Sequence, residues 1–195
     1  PRPEQKRQPF NELAQLASAL NIQKPRFARS EHRRGQDDTS RLISIDHDSC
    51  ILCNRCVRAC DDVKENHIIG RSFKGFKTQI SFDLNEKMGD SNCVSCGECM
   101  AVCPTGALVN KPLSLPMVPR QALKQVESVC PYCGVGCSFR AELQGDQVVR
   151  MVPTKDGGAN AGHSCVKGRF AWGYATHKER VLHPMIREHT TDEWR

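Results

Sequence analysis

CILCNRCVRAC at residues 50–60 and CVSCGECMAVCP at residues 93–104 decide the fold. Both follow C-x2-C-x2-C-x3-C, and they align without gaps at an offset of 43 residues. Within that internal repeat Ile51, Val57 and Ala59 fall opposite Val94, Met100 and Val102. A third run, CPYCGVGC at 130–137, supplies Cys130, Cys133 and Cys137, and the remaining cysteine is Cys165. Twelve thiols in sets of four are what three cubane iron–sulfur clusters require.

Three cysteines at intervals of three wrap one corner of a cluster, and the fourth lies a helical turn further on, too far round to close the same cube. The second run ends in Cys103-Pro104 and resembles the bacterial two-cluster ferredoxins, in which the fourth cysteine ligates the other cluster. The expected sets are Cys50, Cys53, Cys56 and Cys103 for the first site, and Cys60, Cys93, Cys96 and Cys99 for the second. Cys130, Cys133, Cys137 and Cys165 form the third. Small apolar residues between ligands exclude water from a cluster. Arg55 stands opposite Glu98 in the repeat, so the two sites are expected to feel different local fields.

Two blander chemistries compete. Twelve cysteines in 195 residues fall below the roughly 8–10% of secreted disulfide scaffolds, and neighbouring thiols of one loop face a common centre. Four thiolates also make a tetrahedral zinc site, but zinc ribbons use two separated C-x2-C knuckles.

Composition bounds the rest. The formal charge of +6 counts every thiol as neutral. An oxidised four-thiolate cubane carries about −2, so three sites bring the loaded chain near neutrality. No stretch interleaves Lys or Arg with stacking aromatics, so no nucleic-acid partner is expected. Aromatic residues make up 6% of the chain; the ligands are the core, and residues 45–170 are expected to be largely unfolded without metal. No apolar run is long enough to span a membrane. Arg33-Arg34 leads into polar residues, not an export signal. Reduced thiols then favour the cytoplasm. The opening at Pro1 leaves room for residues upstream.

Residues 1–40 form a polar segment in which Phe10, Leu13, Leu16, Ala17 and Leu20 recur at helical spacing behind a possible Asn11 cap. A short amphipathic helix is expected from about 11 to 20, docked on a partner or on the cluster domain. Residues 41–46 (RLISID) and 78–84 (TQISFDL) read as strands, a short helix follows each cysteine triplet, and 107–110 (ALVN) closes the sheet. This is an α+β fold: a two-cluster ferredoxin-like domain over 41–112, then a small [4Fe–4S] domain over 126–183. The 32 residues between Cys60 and Cys93 carry Gly70, Gly75 and Gly89 and exceed a minimal ferredoxin's connection. A proline-rich linker spans 113–125. Phe139–Leu143 and Gln147–Val152 read as a hairpin through Gln144-Gly145-Asp146, and a helix is expected from Val166 through Phe170 toward Tyr174.

CPYCGVGC, followed 28 positions after Cys137 by Cys165-Val166-Lys167-Gly168-Arg169-Phe170, is the most specific text in the chain. It resembles the N-terminal cluster segment of molybdopterin oxidoreductases, above all formate dehydrogenase catalytic subunits; assimilatory nitrate reductases open similarly. The order of helix, two-cluster domain, linker, CPYCGVGC and CVKGRF, with CVSCGECMAVCPTGAL and RVLHPMIRE, is similar to the cytosolic NAD-dependent formate dehydrogenase alpha subunit over about residues 10–195.

That resemblance implies a molybdenum or tungsten bis(pterin guanine dinucleotide) on the remainder of the alpha subunit, with residues 184–195 opening the pterin-binding body. It also implies a partner subunit, itself flavin- and iron–sulfur-bearing, that reduces NAD with FMN. Electrons would pass from the pterin to the third cluster and on through the ferredoxin pair. Lys167 matches the family lysine between the third cluster and the pterin, an electron-relay position. All twelve cysteines are taken up, so no catalytic residue is assigned, and these 195 residues alone are not expected to oxidise formate. The histidines, among them His47, His67 and His163, are expected beside the sites or on the surface. Competing readings are a free-standing ferredoxin-like carrier, the equivalent segment of a nitrate reductase, or a relative that feeds a hydrogenase.

Overall fold

The computed structural model describes residues 12–27, 31–111 and 123–193. The Phe10 and Asn11 positions and most of the expected linker lie outside them. Helix α1, Glu12–Ala19, matches the expected helix. It docks on the cluster domain: Leu13 N–H donates to the Pro104 carbonyl at 3.2 Å, and the Arg55 guanidinium grips the Glu12 carboxylate at 2.5 and 3.0 Å. Leu13, Leu16 and Leu20 nonetheless stay exposed.

The first sheet orders β1 (Gln36–Asp37), β2 (Ile43–Asp46) and β5 (Leu108–Asn110), all antiparallel. Alternation along β2 turns Ile43 and Ile45 fully inward, and Ile45 pairs with Leu108. Between β2 and β5 come α2 (Arg55–Arg58), the hairpin β3 (Ile69–Ser72) and β4 (Gln79–Phe82), and α3 (Glu98–Ala101). Ile43, Ile45, Ile69, Ile80, Phe82, Met88 and Leu108 pack with Cys56, Cys60 and Cys99 in one core. The cysteine loops thus sit on a small aliphatic floor.

The helices do not follow the cysteine triplets as expected. Each begins one residue before the third cysteine, so α2 contains Cys56 and α3 contains Cys99. The left-handed residues Asn54 and Gly97 immediately before them turn the chain into the helix. Beyond α2 a π-helical turn, Ala59–Val63, carries Cys60.

The second unit is the antiparallel sheet β6 (Lys124–Val129), β7 (Ser138–Gln144) and β8 (Gln147–Pro153), followed by α4 (Val166–Phe170). β7 and β8 make the expected hairpin. β6 begins at Lys124, so the last two positions of the expected linker, 124 and 125, are already strand, paired with Leu143 and Glu142. Helix α4 stops at Phe170; a 3₁₀ turn, Trp172–Thr176, replaces the rest of the longer helix expected there. No helix of the described residues is long and apolar enough to cross a membrane.

One close approach locks the long connection before the second cysteine run onto the first sheet. Met88 N–H donates to the Asp37 carboxylate at 2.7 Å and Gly89 N–H to Thr39 Oγ1 at 2.8 Å. A Cβ on Gly89 would lie 2.5 Å from the Thr39 carbonyl carbon and oxygen. Gly89→Ala must push backbone from backbone, and overpacking of this kind costs about 1–3 kcal/mol. An unfolding free energy from urea titration lowered by that amount is the expected result.

Candidate metal centres

The sequence repeat is also a backbone repeat. Leu52 and Ser95 share a left-handed φ of 58° and 54°, and Asn54 and Gly97 one of 63° and 76°. These kinks curl each loop so that its three sulfurs face one side. In both loops the amide two residues past the first cysteine donates to its sulfur at 3.4 Å, Leu52 N–H to Cys50 and Ser95 N–H to Cys93. Donors aimed at sulfur stabilise a thiolate and tune a cluster bound to it.

Each loop encloses a hollow. One, partly open to solvent, is lined by Cys50, Cys53, Cys56 and Cys103, with Ile51, Ile80 and Leu108. The other is lined by Cys60, Cys93, Cys96 and Cys99, with Ile43, Ile68 and Ile69. The fourth cysteine of each run therefore lies in the hollow of the other. Among the described residues no three His, Cys, Asp or Glu side chains converge as ligands of one metal ion would. The thiols surround a hollow with a largely apolar wall, and four sulfurs so placed are a donor set that fits a multi-atom iron–sulfur group.

Burial sets the electrostatics of the sulfur sets. It pushes the Cys56 thiol up to about 12, with Cys50, Cys103 and Cys53 adding to the rise. Cys99 is raised well above the ordinary thiol value by burial and then by Cys93, Cys96 and Cys56, the last belonging to the other hollow. Cys50 and Cys93 are raised by burial too, and the Leu52 and Ser95 amides oppose the shift. A bound metal group must displace these protons, which couples loading to folding.

Two arginines that the sequence reading passed over hold the first loop. Arg34 donates to the Cys50 carbonyl at 2.6 Å and to the Thr78 carbonyl at 3.2 Å. Arg71 donates to Asn54 Oδ1 at 2.7 Å and to the Leu52 carbonyl. The only sequence signal was the positive charge itself, which resembles any solvated surface charge.

CPYCGVGC is the connection between β6 and β7, closed by Cys130 N–H donating to the Cys137 carbonyl at 2.9 Å. Asn160 brings the Cys165 segment to it: its Oδ1 accepts from Ser138 N–H at 2.8 Å, and its amide donates to the Ser138 and His163 carbonyls. Burial raises the Cys137 thiol, and Cys130, Cys133 and Cys165 add to it, so the four thiols feel one another. Cys165 caps α4, and its thiol is lowered, first by the Gly168 amide and further by the Lys167 amide and charge. A Cβ on Gly168 would lie 2.7 Å from the Phe139 ring and 3.3 Å from Cys130 Sγ, so glycine lets α4 close over this loop. Lys167 is exposed beside Cys165.

Glu98 departs from its expected place. A charged residue between two cysteines of a loop would ordinarily face solvent, yet Glu98 is 4% exposed and meets Lys64, His163 and Arg169 at 3.5, 3.2 and 3.4 Å. Burial lowers the Arg169 guanidinium's pKa, and the Glu98 charge offsets part of that. His47 is also buried and is held below the ordinary imidazole value by burial. His67 is exposed, 3.4 Å from Asp61.

Comparison with known proteins assigns both units. Residues 49–107 match the family model of the 4Fe-4S dicluster domain, and residues 123–177 that of the molybdopterin oxidoreductase Fe4S4 domain. The chain carries two iron–sulfur domains. A Bacillus subtilis protein provisionally named an oxidoreductase is 30% identical over 190 residues, and a Staphylococcus haemolyticus protein provisionally named formate dehydrogenase is 31% identical over the same length. Each alignment covers 78% of this chain, which spans 19% of either relative's length. Among solved structures, an NAD+-reducing [NiFe]-hydrogenase in the H2-reduced state shares the fold at a TM-score of 0.50 and 23% identity, over 56% of this chain and 48% of its own.

Breaking a buried ion pair by removing one partner costs roughly 3–5 kcal/mol. Glu98→Ala, which strands Arg169 and Lys64, is expected to lower the unfolding free energy by that much. Asp62→Ala, which removes the exposed partner of Arg58, should leave it nearly unchanged.

Proposed function

We propose that the chain conducts electrons through three [4Fe–4S] clusters, as the iron–sulfur part of a formate-oxidising molybdopterin enzyme. Cys50, Cys53, Cys56 and Cys103 hold the first cluster; Cys60, Cys93, Cys96 and Cys99 the second; Cys130, Cys133, Cys137 and Cys165 the third. The observation that carries this reading is the pair of hollows, each lined by the four thiols of one crossed set. When bound, the clusters supply one-electron redox chemistry.

The chain's own residues give the relay a direction. The third site takes electrons from a molybdenum or tungsten bis-pterin centre lying outside residues 1–195. Lys167, exposed beside Cys165, holds a positive charge on that side. The first site carries the exposed Cys53 and lies under Ile51, half exposed, and faces a flavin-bearing partner subunit that reduces NAD with FMN. The formate and pterin assignments rest on the relatives and on the CPYCGVGC–CVKGRF pairing, and the NAD assignment on the resemblance alone. Twelve cysteines without a disulfide suit a reducing compartment, so the complex works in the cytoplasm.

Purified anaerobically, the protein is expected to be brown, with about twelve iron and twelve acid-labile sulfide per chain, as three four-iron cubanes imply. Zinc in place of iron would refute the assignment. Lys167→Ala is expected to keep all the iron yet slow reduction of the ferredoxin pair by formate in the intact complex. Stopped-flow absorbance reads that rate, and an unchanged value would remove Lys167 from the relay.

A further inference from the structure

Glu98 stands where three cysteine-bearing segments meet. It lies between Cys96 and Cys99; its partner Lys64 is four residues past Cys60, His163 two before Cys165, and Arg169 four past Cys165. One carboxylate therefore ties the second thiol set to the segment that carries the last thiol of the third.

Arg169 does more than neutralise it. Its Nε donates to the Cys96 carbonyl at 3.1 Å while its terminal nitrogen reaches Glu98 at 3.4 Å, and the residue is 5% exposed. The fit is tight: a Cβ on Gly97 would lie 2.4 Å from Arg169 Cδ and 2.8 Å from the Phe170 ring. Helix α4, capped by Cys165, is thus seated directly on the Cys96–Glu98 loop. A planar guanidinium can satisfy a carbonyl and a carboxylate at once, and a lysine point charge cannot reproduce that fork. The path from Cys165 through four residues of α4 and one hydrogen bond to Cys96 links the two ligand loops without crossing solvent.

Resting on the three-site reading above, we propose that Arg169, oriented by Glu98, is a positioning residue that fixes the second thiol set against the third and holds a buried positive charge beside the second. Net charge and hydrogen bonding around the sulfurs set a cluster's potential. A cation favours the reduced, more negative state, and the Glu98 carboxylate opposes it.

A redox titration of the intact, cluster-loaded chain followed by paramagnetic resonance tests this. Arg169→Gln is expected to shift the second centre's potential downward and Glu98→Gln to shift it upward, with the first centre unmoved in both. Arg169→Lys, which keeps the charge and loses the fork, is expected to retain the potential but weaken the magnetic coupling between the second and third centres. A second centre whose potential stays put in the Gln variants overturns the charge role, and undiminished coupling in Arg169→Lys overturns the positioning role. Should Arg169→Gln fail to retain iron, Glu98→Gln and Arg169→Lys still decide both points. Fewer than three centres in the unaltered protein would sink the three-site reading itself; three centres with unmoved potential and coupling sink this inference alone.

Discussion

Exchange of the fourth cysteine between two loops is the constraint on which the rest of the structure depends. Cys103 lines the hollow of the Cys50 loop and Cys60 that of the Cys93 loop, so neither hollow can form from its own run. Everything between the runs must therefore fold back on itself. The β3–β4 hairpin, the Met88–Asp90 turn docked on Asp37 and Thr39, and the pairing of β2 with β5 are how it does so. The aliphatic core is small because the remaining interior is sulfur-lined.

Sulfur packed at this density is costly without a positive guest. Burial and mutual repulsion raise Cys50, Cys56, Cys93 and Cys99 together. The protein offsets part of this with donors: amides two residues past each first cysteine, Arg34 at the first loop and the α4 amides at Cys165. Filling the sites and completing the fold are for this reason one process. The second unit follows the same logic with a hairpin loop and a helix cap in place of two helical turns.

Cysteine spacing made the thiol sets legible, because sulfur placement is dictated by ligand geometry and little else competes for those positions. The strands with buried, β-branched alternation, β2 and β4, were legible for the same kind of reason. β1, β3 and β6 were not. β1 has two residues, β3 buries only Ile69 of its four and contains Gly70, and every residue of β6 is exposed. Their pairing is imposed by neighbours, not by any period of their own. Glu98 shows the opposite failure: a single charge inside a cysteine run looks like a solvent-facing residue until Lys64, His163 and Arg169 arrive from 34 to 71 residues away in sequence. Gly97 and Gly168 carry no local signal of the closeness of Arg169 and of Phe139, which leaves no room for a side chain at either position.

The account turns on which sulfurs share a metal group. Anomalous diffraction at the iron edge from crystals of the anaerobically prepared protein addresses that directly. It should place a four-iron body in the hollow of Cys50, Cys53, Cys56 and Cys103, a second in that of Cys60, Cys93, Cys96 and Cys99, and a third among Cys130, Cys133, Cys137 and Cys165. Single-atom peaks, or four-iron bodies each held by the four consecutive cysteines of one run, would contradict it.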